Sequence, residues 1–274
     1  MAGISPEMTP LRVPVILAVQ PWFFDHAPAG RAVLPMVEIL QLLAAETKRR
    51  FPEIDVRVMR DGRFARFLEL RAGAATMWLA VELEPMADGS VQAVLLRKKK
   101  LPGMTRMVEH ARVVFSRWSE RREEPGAPVG QSLFTASTIM DAGRVYDTYI
   151  PLGPAYRSLK GSLAMNDQEV RAAVQAPVMK QRSFGEDLLG SPFPLDGAMH
   201  AAAVLGRRHL GRIPLPVAFG GRVVHLPARP GVGYNARAVL RVKEENRLTF
   251  DLRLEEEQGG VCEEVIGLVM QEIV

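Results

Sequence analysis

Apolar residues recur along this chain at two periods. Between Met36 and Arg50, Val37, Leu40, Leu43 and Ala44 fall at helical spacing, which predicts a helix with one face packed inward. A second helical segment is expected over Asp196–Leu210. Elsewhere the pattern is that of strands. Leu248, Phe250, Leu252 and Leu254 alternate strictly with Thr249, Asp251 and Arg253, as a half-buried strand requires. Strand-like runs surround the first helix at Arg12–Gln20, Ile54–Met59, Arg63–Leu70, Thr76–Leu83, Val91–Leu96 and Met107–Trp118, with turns expected at Asp61-Gly62 and Asp88-Gly89. A short strand and loop region, Gly161–Ala176, precedes the second helix, and strands follow it at Leu215–His225, Ala236–Val242, Leu248–Leu254 and Val261–Val274.

Each half thus sets one long helix ahead of a run of strands, the order expected when an antiparallel sheet wraps around a central helix. The halves share this order of elements and no detectable sequence identity. The charged, Pro/Gly-rich stretch Glu120–Gly130 reads as a linker. The expected organisation is an α+β double hotdog: an N-terminal repeat over 1–119, a linker over 120–131 and a C-terminal repeat over 132–274, each with its own antiparallel sheet around a central helix.

With 274 residues, 47% of them apolar, the chain buries a substantial core in one large domain or two ordinary ones. The run Val13–Val19 is too short to span a bilayer, contains Pro14 and lacks a basic leader or small-residue cleavage site, so a cytoplasmic protein without a membrane anchor is expected. Cys262 is the single cysteine, which excludes an internal disulfide and argues against cysteine-based zinc sites. Among the five histidines, even His200 and His209 are off the i, i+4 spacing of a helical metal pair. Neither a metal nor a cofactor is expected. The net charge of +4 is unevenly placed, with Arg97-Lys98-Lys99-Lys100 and Arg207-Arg208 with Arg212 as concentrations. Without stacking aromatics or a recognition motif these runs do not point to nucleic acid. A solvated face is their default reading, and docking of an acidic protein the sharper one.

One stretch combines the features of a reactive site. Asp25-His26-Ala27-Pro28-Ala29-Gly30-Arg31-Ala32-Val33-Leu34-Pro35 places a histidine in a Pro/Gly loop directly before the first helix, whose unpaired N–H groups can face a polarised oxygen. On its own such a histidine reads as a surface or capping residue. Asp25 reads as solvent-facing or a local cap, without an assigned role. In the second half, Pro194-Leu195-Asp196-Gly197-Ala198-Met199-His200 sets Asp196 and His200 four residues apart, on one helical face. Alone, Asp196 reads as a first-turn acid stabilising its helix.

Together with two further segments, these residues carry a resemblance. His26, Gly30 and Pro35 match the His-x-x-x-Gly-x-x-x-x-Pro signature of the dehydratase domains of polyketide and related fatty acid synthases, and Asp196 with His200 is similar to that family's Asp-x-x-x-Gln/His motif. Leu152-Gly153-Pro154-Ala155-Tyr156 resembles its Tyr-Gly-Pro-x-Phe segment, and Leu215-Pro216-Val217-Ala218-Phe219 its Leu-Pro-rich strand. The four matches occur in the family's order and span nearly the whole chain. They imply removal of water from a β-hydroxyacyl group held through phosphopantetheine on an acyl carrier protein, in polyketide or fatty acid biosynthesis; a free-standing enzyme acting in trans is the expected form, and an excised synthase domain the alternative. His26 is then the general base and Asp196 the general acid, oriented by His200. Gly30, Pro35, Gly153, Pro154, Tyr156, Leu215 and Pro216 are supporting positions, and Arg97–Lys100 is the expected docking patch for the carrier protein.

A donating acid needs a raised pKa, and burial in a dry cleft is expected to outweigh the helix dipole and supply it. The same pair serves a double-bond isomerase or a cyclase. A hotdog thioesterase or a non-catalytic carrier-protein-binding module are the remaining alternatives. Leu152 replaces the family's usual Tyr, so that hydroxyl is missing unless Tyr146, Tyr149 or Tyr156 supplies it, and Phe219 stands where an indole often lies. Both a monomer and a homodimer fit this reading.

Overall fold

The computed structural model describes residues 10–117, 134–181 and 183–272. The expected linker, 120–131, lies outside the described residues, as do Trp118 and the last two residues of the final expected strand.

The first strand, β1 (Leu11–Ala18), turns Val13, Val15 and Leu17 inward and keeps Pro14 outward. A proline is tolerable there because β1 is the edge of the sheet. A loop containing His26 leads to the first central helix, Met36–Arg50, whose inward residues include Val37, Leu40, Leu43 and Ala44. Its last turn carries Lys48, Arg49 and Arg50, cations favourable at a helix C-terminus. Then come β2 (Ile54–Arg63), β3 (Thr76–Pro85), β4 (Val91–Leu101) and β5 (Met104–Arg117). The second half contributes β6 (Thr138–Asp141), β7 (Leu159–Met165) and β8 (Glu169–Gln175), the second central helix Phe193–Leu210, and β9 (Leu215–Val224), β10 (Gly233–Lys243), β11 (Arg247–Glu256) and β12 (Val261–Gln271).

Among the described residues, neighbouring strands pair antiparallel, in the order β1-β3-β4-β5-β2-β9-β12-β11-β10-β8-β7-β6. The fold is the α+β double hotdog. Its two sets of strands meet at β2 and β9, paired from Val58 opposite Val223 to Arg63 opposite Ala218, so they form one continuous twelve-stranded sheet. Gly62 is required at this seam: a Cβ there would lie 2.3 Å from Cε1 of Phe219. Asp88-Gly89 forms the expected turn, with Asp88 Oδ1 accepting from the Ser90 N–H.

Asp61-Gly62, by contrast, is no turn. It lies inside β2, where Asp61 takes a left-handed φ of 54° and the register with β5 shifts. The expected strand Arg63–Leu70 is also absent, because beyond Arg63 the chain leaves the sheet and runs as a strap. Phe64 N–H donates to Val217 O, Leu34 N–H to Leu68 O and Leu70 N–H to Ala32 O, so the strap laces the His26 loop to β9. In the second half, Gly161–Ala176 is part of the hairpin β7–β8 rather than one strand with a loop, and the edge strand β6 precedes it.

Candidate active site

The second central helix starts at Phe193, three residues before Asp196, with Pro194 in its first turn. Asp196 N–H donates to Pro192 O, and Asp196 and His200 project from the same helical face. They enter a mainly apolar cavity of about 300 Å³. His26 lines the same cavity from the first half, as do Pro35 and Met36 at the start of the first helix. Leu152, Leu215 and Pro216 form part of its wall, and the strap Phe64–Leu68 closes another side. The segment misread as a strand is therefore cavity wall.

His26 is held by its backbone: its N–H donates to Phe23 O, and its carbonyl accepts from Val33 N–H. Its Nδ1 is buried with no aligned hydrogen-bond partner. Burial pushes the imidazole below its ordinary pKa of 6.5, and attraction to Asp196 offsets this only in part. Neutral imidazole is the form that can accept a proton.

Asp196 is 5% exposed. Burial raises its pKa, but attraction to His200, its contact with that ring and attraction to His26 together outweigh burial, so the carboxyl sits below its ordinary 3.8. This corrects the sequence expectation of a raised pKa, which weighed burial against the helix dipole and left out the two imidazoles. His200 Nε2 lies 3.1 Å from Asp196 Oδ2 without the alignment of a hydrogen bond.

The orientation of His200 depends on a residue that the motifs do not contain. Tyr146 OH accepts from Leu159 N–H at 2.9 Å and lies 3.3 Å from His200 Nδ1. The hydroxyl can accept from Leu159 N–H and still give its own proton to Nδ1, an arrangement that puts the ring N–H on Nε2, the nitrogen facing Asp196. Tyr146 thereby supplies a hydroxyl beside the site, where Leu152 cannot.

The supporting positions divide. Gly153 and Pro154 start a short turn that Asp25 fastens to the His26 loop: Gly153 N–H donates to Asp25 O, and Ala155 N–H to Asp25 Oδ2 at 2.9 Å. A Cβ on Gly153 would meet Asp25 Oδ1 at 2.3 Å. Asp25 therefore binds two segments together and is neither a local cap nor simply solvent-facing. Tyr156 is fully buried, with its ring centroid 5.2 Å from that of His26 in an edge contact. Gly30 stands away from the cavity, exposed in a turn with a φ of 75°. Phe219 sits behind the wall, 6.2 Å between centroids from Phe64.

A second, wider groove lies outside, lined by Arg97, Lys98, Lys99 and Lys100 together with Arg12, Arg71 and Arg106. Arg66 and Phe67 of the strap line both this groove and the cavity. Among the described residues, no cluster of three or more His, Cys, Asp or Glu is arranged to hold a metal ion, and no helix is long and apolar enough to cross a membrane.

The sequence matches the family of polyketide synthase dehydratase N-terminal domains over residues 136–274. No curated protein matches it. Among solved structures, the chain is similar to a trans-AT polyketide synthase dehydratase domain from Brevibacillus brevis, at 16% identity and a TM-score of 0.76, covering 97% of this chain and 95% of that one. It is also similar to the dehydratase domain of a mycocerosic acid synthase-like polyketide synthase, at 17% identity and a TM-score of 0.76 over 98% and 94% of the two chains. A bifunctional dehydratase-cyclase domain from ambruticin biosynthesis matches at 19% identity and a TM-score of 0.69 over 97% and 92%.

Proposed function

The chain belongs to the polyketide synthase dehydratase family, and from that premise we propose that it removes water from a β-hydroxyacyl thioester carried on an acyl carrier protein, with His26 as general base and Asp196 as general acid. The observation that carries this reading is the meeting of an imidazole from one half and a carboxyl from the other in a single apolar-walled cavity, each shifting the other's proton affinity.

The thioester carbonyl acidifies the α-hydrogen. Neutral His26 takes that proton, and the electron pair of the C–H bond becomes the new double bond as the β-carbon–oxygen bond breaks. Asp196 gives its proton to the departing oxygen, which leaves as water. Return of the proton from the His26 imidazolium to the Asp196 carboxylate resets the site. The first helix begins at Met36, which lines the cavity, so the N–H groups of its first two residues are the candidate donors to the oxygen that gains charge as the α-hydrogen leaves.

In the free protein at neutral pH, His26 is neutral and Asp196 ionised, one proton short of the reactive pattern. An acyl chain filling the cavity takes away what solvent contact Asp196 retains, which favours the neutral acid, so the missing proton is taken up as substrate binds. The carrier protein docks along the basic groove at Arg97–Lys100, and Arg66 and Phe67 mark where the groove reaches the cavity.

Mass spectrometry of a β-hydroxyacyl carrier protein incubated with this protein tests the reading. Loss of one water supports it; release of the whole acyl chain indicates a thioesterase, and an unchanged carrier a binding module. Moving a double bond or closing a ring in the unsaturated thioester changes no mass, so an isomerase or a cyclase is identified by NMR of the product released from that carrier-bound thioester.

A further inference from the structure

Glu38 lies in the first turn of the first central helix, where an exposed acid would serve the helix dipole equally well. Instead it is 3% exposed, and a buried carboxyl is unfavourable unless its oxygens are hydrogen-bonded. Its Oε1 accepts from Ser183 Oγ at 3.0 Å and from Tyr156 OH at 3.3 Å. Three segments far apart in the chain therefore converge on one oxygen. The next polar residue on that face, Gln41, adds a second tie, its Nε2 donating to Gly190 O at 2.7 Å.

What this cluster holds is the Tyr156 ring. That ring stands between His26, with centroids 5.2 Å apart and planes at 68°, and Phe193 in the first turn of the second helix, also at 5.2 Å. The Tyr156 phenol is thus the piece of structure that touches both the loop of the imidazole and the helix of the carboxyl. We propose that Glu38 is a positioning residue for His26, acting through the Tyr156 ring that it anchors together with Ser183.

The charged and titratable groups around the cluster are consistent with a holding role. Tyr156 resists ionisation, because burial and the nearby carboxyls of Glu38, Asp196 and Asp25 all push its pKa far up, so its hydroxyl keeps the proton it donates. Burial raises the Glu38 pKa and the neighbouring Asp196 adds to the rise, while the hydrogen bonds to its carboxyl hold it back, leaving it at about 7. Glu186 accepts from Ser183 N–H and holds the serine segment in place. Glu38 is not itself a residue of the cavity lining; its side chain reaches the site through Tyr156.

The inference rests on the proposed role of His26, and its test separates the two. Three variants are compared in the intact chain: Glu38→Gln, whose amide oxygen accepts the same two bonds, Glu38→Ala, which removes the anchor, and Tyr156→Phe, which keeps the ring and releases it from Glu38. Two readouts are used. One is the proton resonances of the His26 ring in the substrate-free protein, which report its contact with the aromatic ring. The other is kcat and KM on a β-hydroxyacyl carrier protein. Glu38→Gln is expected to match the wild type in both. Glu38→Ala and Tyr156→Phe are expected to move the His26 resonances and to lower kcat on the order of tenfold with KM within about twofold. Should Glu38→Ala not fold, Ser183→Ala and Tyr156→Phe carry the comparison. Unmoved His26 resonances and wild-type kcat in folded Tyr156→Phe and Ser183→Ala overturn the inference. A fully active His26→Ala protein overturns the base assignment instead, whatever the resonances show.

Discussion

Asp196 and His200, one turn apart on the second central helix, face each other with Nε2 of the imidazole 3.1 Å from Oδ2 of the carboxyl, both nearly buried. Tyr146 stands behind the ring on Nδ1, at 3.3 Å. Tyr146→Phe removes this contact and leaves Leu159 N–H without its acceptor. A lost hydrogen bond of this kind costs about 1 kcal/mol, so kcat is expected to fall roughly fivefold with little change in KM. Steady-state kinetics on a carrier-bound substrate checks this, and an unchanged kcat removes Tyr146 from the account.

The pH dependence follows from the directions of the two shifts. His26 titrates below 6.5 and Asp196 below 3.8, so in the free protein the site regains its single proton only as pH falls through the His26 pKa. The ratio kcat/KM, which reports the free enzyme, is expected to rise as pH drops from 8 to below 6.5. By contrast kcat, which reports the substrate-filled cavity, holds its value to higher pH. A kcat/KM that climbs with pH across the same interval contradicts this.

Glu38 makes stability depend on pH. Its carboxyl holds a proton up to about 7 in the folded chain, against an ordinary value of 4.5. Between these values the folded state binds a proton that the unfolded chain has released, so stability present below pH 4.5 is lost as pH rises towards 7, by on the order of 3 kcal/mol. Glu38→Gln has no such titration. Thermal melts at pH 5 and pH 8 are expected to show the variant gaining on the wild type at the higher pH, and parallel curves argue against the burial of Glu38.

Docking on the basic groove predicts a salt-sensitive step. Changing Lys98, Lys99 and Lys100 to Glu is expected to raise KM for the carrier protein by about tenfold at low salt, and the difference shrinks as salt is added, because steering by exposed charge is screened. The same variants on a short acyl-pantetheine substrate lacking the protein are expected to behave as wild type. Equal KM values at every salt concentration dismiss the groove as the docking surface.

Much of the fold was legible because the first central helix is a sustained helical pattern and strands such as Leu248–Leu254 alternate cleanly. The second helix was placed three residues late because Phe193-Pro194-Leu195 carries no capping side chain. The strap was misread because Phe64, Leu68 and Leu70 look like strand residues, whereas Phe64 and Leu68 face a cavity rather than a sheet neighbour. Motif spacing placed His26, Asp196 and His200 without revealing their surroundings. The low proton affinity of Asp196 comes first from His200, four residues on along the same helix, and to a lesser extent from His26 in the other half of the chain, a contribution that no local pattern records. Glu38 meets Tyr156 and Ser183 across 118 and 145 residues. Its one local trace is polar Glu38 and Gln41 three apart in the otherwise apolar run Met36–Ala45. Asp25 was visible in the sequence, but its grip on Ala155 spans 130 residues.

The most direct test of the shared His26–Asp196 site is a double-mutant comparison of water loss, measured on the carrier-bound substrate for His26→Ala, Asp196→Asn and the two combined, with thermal melts confirming that each is folded. Groups acting on one reaction in one cavity are each expected to lower kcat by roughly 100- to 10,000-fold, with the double variant scarcely worse than either single one. Substantial activity in either single variant, or losses that multiply in the double, contradicts a shared acid–base site.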